Sequence, residues 1–348
     1  TGEAEFAAQS GAAAHGTFAI DTAGSWTYDL DNGNAEVQGL HAGETLSDTV
    51  TVTSNDGSAS QAVTITINGA DDAASISGTI VGSVTEDAVL TATGSLTVSD
   101  ADVGDAAFVA QSGAAAYGTF AIDAAGSWTY GLDNANGEVQ ALGAGDTLSD
   151  TVTVASNDGS ASQAVTITIN GTNDAAVIGG TDSGSVVEDG QLSAGGQLTV
   201  SDVDTGEAAF AAQTGFAAAH GAFTIDAAGS WTYELDNANT AVQALGAGAS
   251  LTDIVTVTSD DGTQHQVAIT INGANDPASI AGTATGSVTE DGSLTAGGSL
   301  TVSDIDTGEA EFAAQSGAAA HGTFSIDTAG SWTYGLDNAN GEDRKSVV

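Results

Sequence analysis

Apolar residues alternate with polar ones in short runs along this chain, as in Val255 and Val257 and again in Val267, Ile269 and Ile271. A period of two sends successive side chains to opposite faces, so these runs predict half-buried β-strands. Asp56-Gly57, Asp158-Gly159 and Asp261-Gly262 can take the positive φ of a tight turn, and each predicts a hairpin between two such runs. AAGSWTY predicts a second hairpin. GSVVED, GQLTVSD, EAAFAAQ, GAFTIDA, GSWTYEL, LTDIVTVTS and HQVAITING then make seven strands in about 100 residues, the scale of an immunoglobulin-like sandwich. Only NANGEVQAL suggests a helical turn.

The pattern repeats. GTFAIDTAGSWTYDLDN surrounds Trp26, and close copies surround Trp128, Trp231 and Trp332, at spacings of 102, 103 and 101 residues. TINGxxD recurs at 66–72, 168–174 and 270–276, each time just before a new unit opens at Ser75, Val177 or Ser279. This division gives complete repeats at 75–176 and 177–278, a partial repeat at 1–74 without its front end, and another at 279–342 without its back end. The last six residues, 343–348, depart from the repeat and hold the two basic residues, Arg344 and Lys345, so they read as a non-repeat tail or scar. The fold expected is all-β: tandem Ig-like or cadherin-like sandwiches of about 102 residues in a linear rod, each adding roughly 40 Å.

Charge narrows the function. Against 46 Asp and Glu stand 2 Lys and Arg, a net charge of −44 over 348 residues. Nucleic acids and anionic bilayers are bound by lysine and arginine, which this chain barely contains, so neither is an expected partner. No apolar run is long enough for membrane insertion. With no Cys, disulfides and thiolate-held zinc are excluded, and stabilisation by a bound ion must use oxygen ligands.

The carboxylates collect in three short motifs near the unit boundaries. Linker pairs are Asp71-Asp72, Asn173-Asp174 and Asn275-Asp276; Glu-Asp pairs follow at Glu86-Asp87, Glu188-Asp189 and Glu290-Asp291. Asp-x-Asp then closes each LTVSD strand, at Asp100 and Asp102, Asp202 and Asp204, and Asp304 and Asp306. Two carboxylates one residue apart on a strand share a face, and with the Glu-Asp and linker oxygens they reach the six to eight hard ligands that Ca²⁺ takes. Like charges about 4 Å apart repel by roughly 4 kcal/mol at an effective dielectric near 20, and a divalent ion reverses the sign. The competing reading is that these acids merely solvate loops.

Other candidates are weaker. Trp26/Tyr28, Trp128/Tyr130, Trp231/Tyr233 and Trp332/Tyr334 could form a sugar-stacking platform, but core filling is the simpler expectation for a unit this poor in large residues. His15, His220 and His321 occupy equivalent positions where the second unit has Tyr117, while His41 and His265 read as solitary, so no histidine is expected to serve catalysis or metal. No nucleophile elbow, HExxH or Walker lysine is present, and no enzymatic activity is expected.

The linker pair, the Glu-Asp and SDxDTG motifs, and GTFxIDxxGSWTYxLDN together resemble VCBS repeats, the cadherin-like units of large bacterial surface proteins, over nearly all of 1–342. The resemblance implies a calcium-rigidified extender of a secreted RTX-type adhesin, exported by type I secretion to the outer cell surface, where it projects an adhesive tip for cell adhesion or biofilm formation. Its implied partners are calcium, neighbouring repeats, and a cell-surface or glycan ligand held by domains outside this sequence. Two alternatives stand beside it: repeats that themselves bind glycan or protein, and spacer modules of an extracellular enzyme. The chain departs from the pattern at Asp71-Asp72 and at DADVGD, though each change keeps oxygen ligands.

Overall fold

The computed structural model describes residues 5–339, which are β-strands joined by turns, with four-residue helices at Ala35–Gln38 and Thr240–Gln243. The predicted tail at 343–348 lies outside the described residues. By internal contacts the chain forms two units, Thr1–Asn173 and Asp174–Val348.

In the first unit, residues 75–170 form a two-layer sandwich. One sheet orders its strands as Ser75–Gly78, Thr91–Ser99, Ser127–Leu132, Gly118–Ile122 and Gln111–Ala114; the other holds Thr147–Ala155, Ser162–Asn170 and Val81–Thr85. All neighbours are antiparallel except Val81–Thr85, which runs parallel to Ser162–Asn170 with Val81 opposite Thr166 and Thr85 opposite Asn170. Period-two alternation fixes the faces: Val165, Ile167 and Ile169 are buried, and the residues between them lie at or near the surface. Asp158-Gly159 closes the hairpin as expected, with Gly159 at φ 78°. Residues 9–68 repeat the Trp hairpin and the final hairpin as sheets of three and two strands around Phe18, Ile20 and Val52.

The second unit repeats the sandwich from Val177–Gly180 to Gln264–Asn272, with Ser183–Val187 again parallel to the last strand. Residues 279–336 then form a further five-stranded sheet. Each complete repeat has eight strands where seven were expected. EAAFAAQ is not a strand: Phe210 makes a single bridge to Ser259, and pairing resumes at Gln213–Ala217. The remaining difference is the short opening strand, Ser75–Gly78 or Val177–Gly180.

In the complete repeats the aromatic pairs fill the cores, as the simpler expectation had it, and offer no stacking platform. Trp128 and Trp231 are each 1% exposed, and Tyr130 and Tyr233 are fully buried. The indole N–H of Trp128 donates to Thr79 O at 2.9 Å, and that of Trp231 to Thr181 O at 2.7 Å. Room for the ring comes from missing side chains: a Cβ on Gly82 would stand 2.9 Å from Trp128 Cη2, and one on Gly94 would overlap the same indole. Trp26, ahead of which the sequence has no counterpart of those strands, is 49% exposed.

A buried aspartate sits beside the core tyrosine of each complete repeat. Asp150 accepts the Tyr130 hydroxyl at 3.0 Å and the Tyr117 N–H at 3.0 Å. Asp253 accepts the Tyr233 hydroxyl at 2.7 Å and the His220 N–H at 2.9 Å, with His220 Nδ1 2.6 Å from its other oxygen. Burial alone would raise the Asp253 carboxyl, but the hydrogen bonds from Tyr233 and His220 outweigh it and hold the group below the ordinary aspartate value.

Candidate metal centre

The Glu-Asp motif belongs to a neighbourhood that sequence order hides. Because Ser183–Val187 runs parallel to Gln264–Asn272, its end delivers Glu188 beside the linker that follows the last strand. Glu188 is 1% exposed, and its Oε1 accepts the Ala274 N–H at 2.9 Å. In the two complete repeats the Glu-Asp pair therefore joins the linker at the far end of its own repeat, not the linker that precedes it. Asp189 follows in the left-handed conformation, φ 53°, with an exposed side chain. Asn237 holds this turn reciprocally, accepting the Asp189 N–H at 3.0 Å and donating to Asp189 Oδ1 at 2.6 Å.

The linker and Asp-x-Asp motifs meet this pair within the second unit. Asp276 N–H donates to Asp306 Oδ2 at 2.8 Å, and Asp306 N–H donates to Asp304 Oδ1 at 3.0 Å. Asn275 donates to Asp276 O at 2.8 Å. Burial raises the Glu188 carboxyl above the ordinary glutamate value against the pull of the Ala274 N–H, and the charges of Asp276, Asp189 and Asp306 add to it. Burial also raises Asp276, joined by the charges of Asp189 and Asp306, a hydrogen bond to Asp189, and the charge of Asp304. Glu188 Oε2, Asp276 Oδ2 and Asp306 Oδ1 are buried with no hydrogen-bond partner. Unpaired buried carboxylate oxygens are costly, and no lysine or arginine lies among the described residues to answer them. These residues fit a hard cation.

The first unit holds a related cluster. Asp72 N–H donates to Asp102 Oδ2 at 2.7 Å, Asp102 N–H to Asp100 Oδ1 at 2.9 Å, and Ala42 N–H to Asp71 Oδ1 at 2.7 Å. Asp100 Oδ2 and Asp102 Oδ1 are buried without partners. Glu86 caps the far end of the same unit, accepting the Thr172 N–H at 3.0 Å, and Asp87 pairs reciprocally with Asn134. In the second unit, Asp174 N–H donates to Asp204 Oδ2 at 2.8 Å, and Asp204 N–H to Asp202 Oδ1 at 2.9 Å. Glu290 is exposed and Asp291 pairs with Asn338; among the described residues neither joins a linker pair.

His41 is not solitary. It lies beside Asp102 and Asp105, one ligand atom from each of the three falling within 4.8 Å of the others. The signal was available in the sequence: His41 stands where the other repeats carry Gly143 and Gly246. His265 likewise has a partner, its Nε2 lying 3.4 Å from Asp182.

Among solved structures, protocadherin gammaB7 EC3-6 is similar at 15% identity and a TM-score of 0.44, covering 98% of this chain and 85% of that one. Drosophila N-cadherin EC1-4 is similar at 15% identity and a TM-score of 0.33, covering 99% of this chain and 86% of that one. No curated protein sequence matches. The family model of the bacterial cadherin-like domain matches residues 71–171, 173–273 and 275–347, and the chain belongs to that family.

Proposed function

We propose that this chain is a calcium-stiffened extender of a bacterial surface adhesin of the VCBS-repeat kind, exported by type I secretion and holding an adhesive domain away from the cell for adhesion or biofilm formation. The observation that carries this reading is the group of orphaned, buried carboxylate oxygens on Glu188, Asp276 and Asp306. Oxygen donors without a thiolate or imidazole suit Ca²⁺. In the second unit the proposed ligands are Glu188, Asp189, Asn275, Asp276, Asp304 and Asp306; in the first they are Asp71, Asp72, Asp100 and Asp102. Glu86, Asp87 and Asn173 in the first unit, and Asp174, Asp202 and Asp204 in the second, carry the same chemistry.

Calcium supplies positive charge there and no reaction. The protein's residues bring linker and neighbouring loops to one point, so that an ion bound by all of them restricts bending at the linker. Extracellular modules bind Ca²⁺ at about 10⁻⁴–10⁻³ M, which leaves such sites empty in a low-calcium cytosol and filled outside the cell. The test is small-angle scattering and thermal unfolding of the full chain in millimolar calcium and in chelator. A sharper maximum dimension and a higher melting temperature with calcium support the reading. If calcium changes neither, the carboxylates are solvated loop acids.

A further inference from the structure

The second, different site is centred on His41. Its Nε2 lies 2.9 Å from Val103 O, and a carbonyl can only accept, so Nε2 carries the proton. The neutral ring then presents a lone pair at Nδ1, and Nδ1 lies 3.3 Å from Asp105 Oδ2, which also only accepts. Two acceptors face each other across this gap, which either a second ring proton or a metal ion fills. A backbone carbonyl taking one ring N–H while the other nitrogen faces an ion is the usual outer-sphere support of a metal-bound histidine.

Two further observations point the same way. Asp102, 3% exposed, has Oδ2 committed to Asp72 N–H, while its buried Oδ1 has no partner. The site is also built as a pair. In the second unit the counterparts are Gly246 and Glu309, where a Cβ on Gly246 would stand 2.6 Å from Glu309 Oε1. Histidine thus appears only where the facing acid is one carbon shorter. Ligands about 2.0–2.1 Å from a tetrahedral ion are about 3.3–3.4 Å apart, which matches the Nδ1 to Oδ2 separation.

We propose that His41 Nδ1, Asp102 Oδ1 and a carboxylate oxygen of Asp105 form a Zn²⁺ site, with water completing the coordination. One imidazole with two carboxylates is a donor set for zinc, whereas calcium gains nothing from the imidazole. The site shares Asp102 with the proposed calcium ligands but depends on His41 and Asp105, which that reading does not use.

The experiment titrates the metal-free full chain with Zn²⁺ against a chromophoric chelator, and with Co²⁺ followed by visible absorption. The same titrations are run on His41→Gly, the residue found at 143 and 246, and on Asp105→Asn. The expected result is one Zn²⁺ per chain whose affinity falls in both variants by more than the roughly 10–100-fold that an outer-sphere partner is worth. Co²⁺ should give a tetrahedral absorption band lost in His41→Gly. Unchanged zinc affinity in both variants, or no Co²⁺ band with the unmodified chain, overturns the proposal: His41 then simply holds a second proton against Asp105. Calcium titrations of the same samples report separately on the calcium reading, because His41→Gly leaves every proposed calcium ligand in place.

Discussion

Glu188 Oε1 accepts the backbone N–H of Ala274 across 86 residues of sequence, at 2.9 Å. This bond leaves the other carboxylate oxygen buried and unanswered among acids. Glu188→Gln keeps an acceptor for Ala274 and removes the charge. In chelator the variant is expected to melt higher than the unmodified chain; in calcium it is expected to bind the ion at least about tenfold more weakly, one charged ligand being lost. Calorimetry under the two conditions reads both, and the crossing of the two effects separates a metal ligand from a structural acid.

The pH dependence of the calcium-free chain follows. Glu188 and Asp276 have folded values above their ordinary ones, so the native state binds the extra protons. Their contribution to stability is complete below the unfolded values and is lost as the pH rises through the folded ones. Urea midpoints in chelator are expected to fall as the pH is raised from the ordinary carboxylate range, and saturating calcium should reverse that slope.

Asp253 behaves oppositely. Its carboxyl is held below the aspartate value of 3.8, so its contribution is complete above 3.8 and disappears as the pH falls through the lower folded value. Asp253→Asn can keep one oxygen for the Tyr233 hydroxyl and the His220 backbone N–H but presents an NH2 in place of the oxygen that faces His220 Nδ1, and is expected to cost about 1–3 kcal/mol at neutral pH while flattening the acid limb of the stability profile. Urea unfolding from pH 2 to 7 measures both.

How far the sequence was legible differs between these groups. The strands and Trp core could be read because a period of two and a Trp-Tyr spacing are local signals. Asp253 was missed, although it stands in phase with Val255 and Val257 and is buried with them. In-phase position, not residue type, was the clue. EAAFAAQ failed because a run of small residues around Phe210 mimics a strand while making one bridge. The acid motifs were recognised, but Glu188 was grouped with the wrong linker. Its true neighbours are set by the parallel pairing of Ser183–Val187 with Gln264–Asn272, a long-range contact that alternation cannot reveal.

The indole slot gives a packing test. A Cβ on Gly196 would stand 2.8 Å from Trp231 Cε2 and Cζ2 and 2.9 Å from Thr181 Cγ2. Gly196→Ala must displace the ring or the strand and is expected to cost about 1–3 kcal/mol, as overpacking does. Intrinsic fluorescence should shift to the red as Trp231 becomes wetter.

Asp189→Gly separates backbone from ligand. Glycine adopts φ near 53° without strain, so the turn survives while the carboxylate is removed. The expected outcome is a calcium-free melting temperature within a few degrees of the unmodified chain, and a weaker calcium affinity by titration calorimetry.

The parallel strand also decides how a repeat carries tension. Pulling residue 183 backward and residue 272 forward loads Ser183–Val187 and Gln264–Asn272 along their lengths in opposite directions, so five register pairs slide against one another together. An antiparallel hairpin pulled from its open end would instead peel one pair at a time. Once the short opening strand Val177–Gly180 has been pulled off its antiparallel neighbour, the chain enters and leaves the sandwich through this shear-loaded ladder, which must rupture as a block before the repeat can lengthen further.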